Sequence, residues 1–535
     1  MVGGAAAAAD PPVVNAAGGL GSFAVDDLTR LRRFLILGVE GGSYYASERK
    51  LGLENAAAIS RLIEAGRGSE VVAEALAVSL GGRAAKQSPT LFALAMVSRL
   101  GDATARQAAY GAVPQVCRTG TMLFEFLELH MSLGESNGWG RGLRRAVAKV
   151  YTEKDADTVA YGITKYKQRN GWTHRDVLRL AHVRPPSKGH QVVLHYAVKG
   201  EVLPLPVPGA EDAGADEGHI KAHAFISAVE SAKGCDDEVA LIKLIEDFRL
   251  AWEHLPSDML KSRPVWAALL PKMPLTAMIR NLGKMTAIGL LAPLSDAVAI
   301  VTAKLTDGAA LKKARVHPFS VLLAQATYKS GRGVRGSLSW EPVPAVTAAL
   351  EKAFYLAFGT LVPTGKRFVL GLDVSGSMSA RINGSSISAA EASAAMAMVT
   401  MRTEEQCHPM AFSDRLVDTG ITADDSLADV MAKCDRIRMG ATDCAQPMLW
   451  AAEAGVEADV FIVYTDCETW AGAVSPVEAL RRYRASSGLD AKLIVVGMTS
   501  GGFTIADADD AGMLDVVGFD ANAPRVMQDF VEGRV

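Results

Sequence analysis

The spacing of apolar residues changes once along this chain, near Pro363, and that change limits its architecture more than any other feature. From about Asp26 to about Phe358, apolar residues recur at intervals of three and four, the period of amphipathic helices. The segments ENAAAISRLIEAG, SEVVAEALAVSLG, PTLFALAMVSRLG, TMLFEFLELHMSL, DEVALIKLIEDFRLAWEHL and VWAALLPKMPLTAMIRNLGKM each predict a helix, and several end at the glycine typical of a C-cap. Ten or more helices without strand signals suggest stacked helical pairs of the HEAT or armadillo kind. No strict repeat aligns, so this rests on helix count and spacing alone. After Pro363, the apolar runs KRFVLGLDVS, HPMAFSD, DVFIVYTD and AKLIVVGM alternate with helical segments such as ISAAEASAAMAMVTMR. That alternation predicts an α/β domain with a mostly parallel, doubly wound sheet, whose ligands bind outside the strand C-termini.

Two domains also follow from length, because a chain of 535 residues exceeds the ~250 to 300 residues one core can serve. The expected division is a tail over residues 1–20, a helical domain over 21–362 and the α/β domain over 363–535. The Pro-, Gly- and acid-rich stretch 201–218 reads as an exposed loop within the helical part. With 49% hydrophobic and 21% charged residues the chain is ordinary globular material, and no run nears the ~18 apolar residues of a membrane span. The start, MVGGAAAAAD, lacks a basic segment followed by a long apolar one, so a cytoplasmic protein is expected. Six cysteines without a CxxC pair argue against a disulfide framework or a structural zinc site.

The net charge of −3 hides a polarity. Residues 1–360 hold 42 Lys+Arg against 34 Asp+Glu, whereas 361–535 hold 14 against 25. Within the first part, residues 141–188 carry 12 basic and 4 acidic side chains. There the segment TKYKQRNGWTHRDVLRLAHVRP supplies Lys165, Lys167, Arg169, Arg175, Arg179, His182 and Arg184 for phosphates, Tyr166 and Trp172 for stacking on unpaired bases, and Asn170 for base edges. On a helix starting near Thr173, Arg175, Arg179 and His182 would share a face. The competing reading is a solvated basic helix. A second basic segment, GRGLRRAVAKV, and the acid-free stretch 311–336 with Lys312, Lys313 and Arg315 favour RNA.

The sharpest local motif is Asp373-Val374-Ser375-Gly376-Ser377, at the end of an apolar strand. Carboxylate and hydroxyl oxygens suit a hard cation such as Mg²⁺, and two further loops offer Thr442 and Asp466. The set of Asp373, Ser375, Ser377, Thr442 and Asp466 resembles the metal-ion-dependent adhesion site of von Willebrand factor A domains. That likeness implies direct metal contacts from the serines and the threonine, water-mediated ones from the aspartates, and a partner carboxylate completing the sphere. No base or nucleophile pair adjoins these residues, so the site reads as adhesive and the protein as no enzyme. His219 and His223 form an HxxxH without the glutamate of a zinc protease, and Cys407 beside His408 reads as packing.

Taken together, GVEGGSYYASERKLGLENAAAISRLIEAGRG, TKYKQRNGWTHRDVLRLAHVRP, MPLTAMIRNLGKMT, KKARVHPFSVLLAQATYK, PTGKRFVLGLDVSGSM and TDCETWAG closely resemble the Ro RNA-binding proteins, bacterial members in particular, whose helical module is the TROVE domain. The likeness runs from about Gly38 to Val535. It implies a monomeric ring of HEAT-like repeats closed by the von Willebrand A domain. It further implies Y RNA on the outer surface, with His182 in that role, and single-stranded 3′ ends of misfolded or precursor RNA in a central hole lined by Lys165 and Arg169. An exoribonuclease such as polynucleotide phosphorylase would be the partner. The rival from another class is a metal-dependent adhesion scaffold with no specific RNA function. A metal-dependent nuclease ranks third, since no cluster of catalytic carboxylates is visible.

Overall fold

The structure is a computed structural model that describes residues 23–24, 26–37, 57–84, 86–133, 138–205, 217–333, 337–359, 361–382, 387–437, 440–499, 502–518 and 522–534. The expected tail over 1–20 and most of the expected loop over 201–218 lie outside these residues. Helices Gly68–Leu80, Ser88–Leu100, Ala103–Val116 and Gly120–Ser132 fall where the apolar period places them. Two expected helices are broken. DEVALIKLIEDFRLAWEHL stops at Phe248, because Arg249 turns left-handed (φ 53°) and a 3-10 turn, Trp252–His254, follows. VWAALLPKMPLTAMIRNLGKM divides into Arg263–Leu269 and Leu275–Ala287, since Pro271 and Pro274 cannot continue the backbone hydrogen-bond ladder.

Contacts pass from helix to helix along the chain, as in stacked helical pairs. His317, which caps helix Pro318–Lys329, has Nε2 2.8 Å from the Arg83 carbonyl oxygen, joining the last helices to the first across more than two hundred residues.

The second domain holds a six-stranded sheet. Its strands are β1 (Arg367–Asp373), β2 (Gln406–Phe412), β3 (Leu416–Asp418), β4 (Val460–Thr465), β5 (Lys492–Gly497) and β6 (Met513–Val517). The spatial order is β6-β5-β4-β1-β2-β3, parallel except for β3. Strand order therefore reverses between β1 and β4, where sheets of this kind open a crevice for ligands. One apolar core crosses the domain boundary, joining Val346, Leu350 and Phe354 of helix Pro344–Leu356 to Phe368, Ala392 and Met396 of the sheet domain. Among the described residues no helix is long and apolar enough to cross a membrane.

The amino-terminal helix Asp27–Leu37 docks on the far edge of that sheet. Phe23–Ala24 pairs antiparallel with Phe503–Thr504, and the fully buried Arg33 guanidinium bonds Asp515 on β6 and the Phe503 carbonyl oxygen. Removing one member of a buried charge pair strands the other, at a cost of about 3 to 5 kcal/mol. Arg33→Met should therefore lower the denaturant midpoint of the folded chain and expose this amino-terminal helix to limited proteolysis. An unchanged midpoint would show that this pair does not secure the helix.

Histidines fasten neighbouring helices. His130 Nδ1 lies 2.7 Å from the Ser98 hydroxyl, His174 Nδ1 2.8 Å from the Tyr151 hydroxyl and His254 Nε2 3.1 Å from the Thr164 hydroxyl. Burial pushes the pKa of all three imidazoles down to about 4. The unfolded chain binds their protons near pH 6.5, so the stability tied to neutral imidazoles is complete above 6.5 and is lost as pH falls toward 4. By pH 5 the loss approaches ~2 kcal/mol per histidine, because each tenfold preference of the proton for the unfolded chain is worth about 1.4 kcal/mol. Calorimetric melting at pH 7.5 and pH 5 should show a marked drop at the lower value, and equal melting temperatures would contradict these neutral, buried rings.

Candidate functional site

The metal-type motif assembles at the strand-order reversal. Asp373 ends β1, Asp466 follows the last residue of β4, and Thr442 sits in the loop that precedes helix Gln446–Ala454. Ser375 immediately precedes the short 3-10 turn Gly376–Ser379, whose second residue is Ser377. All five side chains are buried, so the residues singled out in the sequence converge in one crevice.

Hydrogen bonds sort these oxygens by role. Asp373 Oδ1 accepts from the Ser375 amide at 2.8 Å and Oδ2 from the Thr465 hydroxyl at 2.6 Å, which fixes the carboxylate in orientation. The Ser375 and Ser377 hydroxyls are 3.1 Å apart. Asp466 Oδ1 accepts from the Glu468 amide at 3.1 Å. Asp466 Oδ2 and the Thr442 hydroxyl are both buried with no hydrogen-bond partner among the described residues. Such orphaned oxygens are costly unless something else binds them. Burial raises the pKa of both aspartates above the usual carboxylate range; the charge of Asp373 adds to the rise at Asp466, and the Ser375 hydroxyl opposes it at Asp373. A divalent cation would relieve that repulsion and satisfy the orphaned oxygens, so the donor set fits Mg²⁺ with Ser375, Ser377, Thr442, Asp373 and Asp466 as the residues to hold it. Among the described residues no group of three or more His, Cys, Asp or Glu side chains is arranged for a metal.

Three supporting residues escaped the sequence reading. Thr465 orients Asp373 as above, the Thr469 hydroxyl donates to the Thr442 carbonyl oxygen at 3.3 Å, and Asp443 accepts from the Ala445 amide and the Gln446 side chain. Gly472 has φ 90° and lies so close to Asp443 that a Cβ there would meet its carboxylate at 2.5 Å. The signal available for Thr465 was its place at the end of the apolar run DVFIVYTD, directly before Asp466.

The basic segment folds into a small hairpin followed by a helix. Gln168–Arg169 pairs antiparallel with Trp172–Thr173 across an Asn170-Gly171 loop in which both residues are left-handed (φ 52° and 75°), the geometry that Asn-Gly tolerates. Thr173 and Asp176 form a capping box on helix His174–Ala181. Lys167, Arg169, Asn170, Arg175, Arg179, His182 and Arg184 are all exposed or partly exposed. Asp176 is engaged by Thr173, whose hydroxyl and amide both donate to it. His182 lies one residue past the helix, in a left-handed C-cap with φ 52°, so the shared helical face expected of Arg175, Arg179 and His182 holds only for the two arginines.

Two residues of the expected set are tied up within the protein. The Lys165 ammonium is almost wholly covered, 3.5 Å from a Glu253 carboxylate oxygen and 5.3 Å from the ring centres of both Tyr161 and Tyr166. Trp172 packs against Trp139, ring centres 5.9 Å apart. Lys312, Lys313 and Arg315 lie at the end of helix Gly308–Lys313, and all three are exposed. Arg118 stands beside Arg315: burial and the neighbouring Arg315 charge lower its pKa, and its carbonyl oxygen accepts from Lys154 Nζ at 3.2 Å.

A closed succession of helical pairs joined to a doubly wound sheet with an oxygen-donor crevice defines a TROVE and von Willebrand A protein. Residues 13–204 and 243–329 match the TROVE domain, and residues 367–531 match the Ro60 vWA domain. The RNA-binding protein RO60 of Deinococcus radiodurans is 42% identical, over 98% of this chain and 96% of that protein. The RNA-binding protein RO60 of Caenorhabditis elegans is 38% identical, over 98% of this chain and 91% of that one. The crystal structure of Deinococcus radiodurans RO (RSR) protein superposes with a TM-score of 0.69 at 40% identity, covering 95% of this chain and 100% of that structure. This chain belongs to the Ro60 family.

Proposed function

We propose that this protein binds RNA through the basic surface of its helical ring and acts in RNA quality control or maturation without catalysing a reaction itself. The observation that carries the reading is the run of accessible cations from the Asn-Gly hairpin through Arg175 and Arg179 to Arg184, with the only acid inside that helix engaged by its own cap. The RNA-binding names of the relatives support it. In this reading a small noncoding Y RNA occupies the outer face that includes His182. A single-stranded 3′ end of a misfolded or precursor RNA passes the side that carries Lys167 and Arg169, and the protein presents that RNA to an exoribonuclease such as polynucleotide phosphorylase. The acidic sheet domain repels phosphate, which leaves its crevice to Mg²⁺ and a protein partner. When bound, the ion supplies an open coordination position for a partner carboxylate. Ser375, Ser377 and Thr442 offer it hydroxyl oxygens, and Asp373 and Asp466 offer charge.

Sequencing the RNA that copurifies with the full chain tests the function. Enrichment of small structured RNAs and of transcripts with unprocessed 3′ tails is expected. A copurifying pool indistinguishable from total cellular RNA would contradict it.

A further inference from the structure

The amino-terminal helix Asp27–Leu37 ties the helical domain to the far edge of the sheet. Its Leu31, Phe34 and Leu35 share one apolar cluster with Val71, Leu94 and Val97 of the helical domain and with Val517 of β6. Arg33 of the same helix reaches beyond Asp515 and the Phe503 carbonyl, because its guanidinium also hydrogen-bonds the thiol of Cys467. The two groups meet over the end of β5, where a Cβ on Gly497 would stand 3.6 Å from Cys467 Sγ and 3.7 Å from Arg33 Nη2. Cys467 directly follows Asp466, is buried, and holds φ 67°, a left-handed conformation that persists at a non-glycine residue only where its surroundings enforce it. Its amide donates to the Thr465 hydroxyl at 3.2 Å, and that hydroxyl donates to Asp373 Oδ2 at 2.6 Å. On its other side the Glu468 amide donates to Asp466 Oδ1 at 3.1 Å. The turn at Cys467 is therefore joined to both acidic residues of the crevice, including the one whose Oδ2 has no partner among the described residues.

We infer that Arg33 is a positioning residue of the metal crevice: through the Cys467 thiol it holds the turn that aims Asp466, so that cation binding in the sheet domain and docking of the amino-terminal helix strengthen each other. The inference rests on the reading of the crevice as a divalent-cation site and adds to it a mechanical link to the helical domain. With the helix docked, the strained turn has its partner and the carboxylates stand ready for the ion. With the helix displaced, Cys467 loses that partner and the turn can relax, which leaves Asp466 poorly aimed. A cation that prefers the docked state must favour docking by the same factor, because coupling between two sites is reciprocal. By charge alone the loss of Arg33 would favour a second cation nearby, so a weakening of cation binding has the opposite sign from an electrostatic effect.

The test uses the full chain with Cys467→Ala, Cys467→Ser and Arg33→Met, Mg²⁺ itself as the probe, and melting curves to establish that each variant folds. In a calorimetric titration Cys467→Ala and Arg33→Met should each bind Mg²⁺ about tenfold more weakly, and the double variant no more weakly than either alone, since both remove the same contact. Cys467→Ser, whose hydroxyl can still accept from Arg33, should recover most of the affinity. Limited proteolysis supplies a reading that a merely structural role would not move: saturating Mg²⁺ should slow cleavage of the amino-terminal helix about tenfold in the parent and leave it unchanged in Cys467→Ala. Equal cleavage with and without Mg²⁺ in a parent that binds the ion, or parental Mg²⁺ affinity in folded Cys467→Ala, overturns the inference and leaves the metal crevice intact. Cys467→Ser as weak as Cys467→Ala would assign the effect to the turn itself and overturn the part given to Arg33. A parent chain that binds no Mg²⁺ overturns the reading of the crevice as a metal site and the inference with it. Should Arg33→Met fail to fold, the two Cys467 variants and the proteolysis of the parent decide the matter.

Discussion

Replacing Arg175, Arg179 and Arg184 together with alanine should weaken RNA binding about a hundredfold at about 0.1 M salt while leaving the melting temperature within a few degrees of the parent. All three side chains are exposed, and Arg175 and Arg179 stand one turn apart on helix His174–Ala181, so truncation removes charge without opening a cavity. Each charge-assisted contact to phosphate is worth about 1 kcal/mol or more, and roughly 3 kcal/mol in all is a factor of more than about a hundred in affinity. Filter binding with a Y-type hairpin RNA and with a tailed single strand measures it. His182→Ser should affect the hairpin RNA more than the tailed one, whereas Lys167→Ala with Arg169→Ala should do the reverse. Lys165 is a poor probe of the same question, because its ammonium is held by Glu253, Tyr161 and Tyr166.

The second large effect is expected at the sheet domain. Asp373→Asn should eliminate Mg²⁺ binding in a calorimetric titration and leave RNA affinity within about twofold. Asparagine can still accept from the Ser375 amide or the Thr465 hydroxyl, whereas alanine would strand both donors at about 1 to 3 kcal/mol each. Thr442→Val offers a complementary variant. The Thr442 hydroxyl is buried without a partner among the described residues, so its removal should leave the metal-free protein as stable as before or slightly more so, and should weaken Mg²⁺ binding sharply. Full-strength Mg²⁺ binding by both variants would place any ion elsewhere.

What was legible in the sequence, and what was not, has physical causes. β1, β4 and β5 are buried on both faces and read as uninterrupted apolar runs, and DxSxS together with the loop residue Thr442 and the strand-end Asp466 marked the crevice. β6 was missed, because Asp515 interrupts its apolar run in order to meet Arg33, a partner nearly five hundred residues away. β3 spans only three residues, and the pairing of Phe23–Ala24 with Phe503–Thr504 leaves no local trace at all. Among the basic residues, composition could not separate an exposed arginine such as Arg175 from Lys165, whose environment is built by Glu253 from another helical pair. The failure of helix DEVALIKLIEDFRLAWEHL at Arg249 was equally silent, since arginine is a good helix former and its left-handed turn is imposed by tertiary packing.

The salt dependence of RNA binding, measured from about 0.05 to about 0.3 M on the parent, on the triple arginine variant and on Asp373→Asn, tests most directly whether RNA sits on the basic ring and apart from the metal crevice. The parent should show a steep negative slope of log affinity against log salt, Asp373→Asn the same slope, and the arginine variant a slope shallower by about 2 to 3, reflecting three lost phosphate contacts. Identical slopes for parent and arginine variant would contradict the account, and a slope that flattens only in Asp373→Asn would move the RNA to the sheet domain.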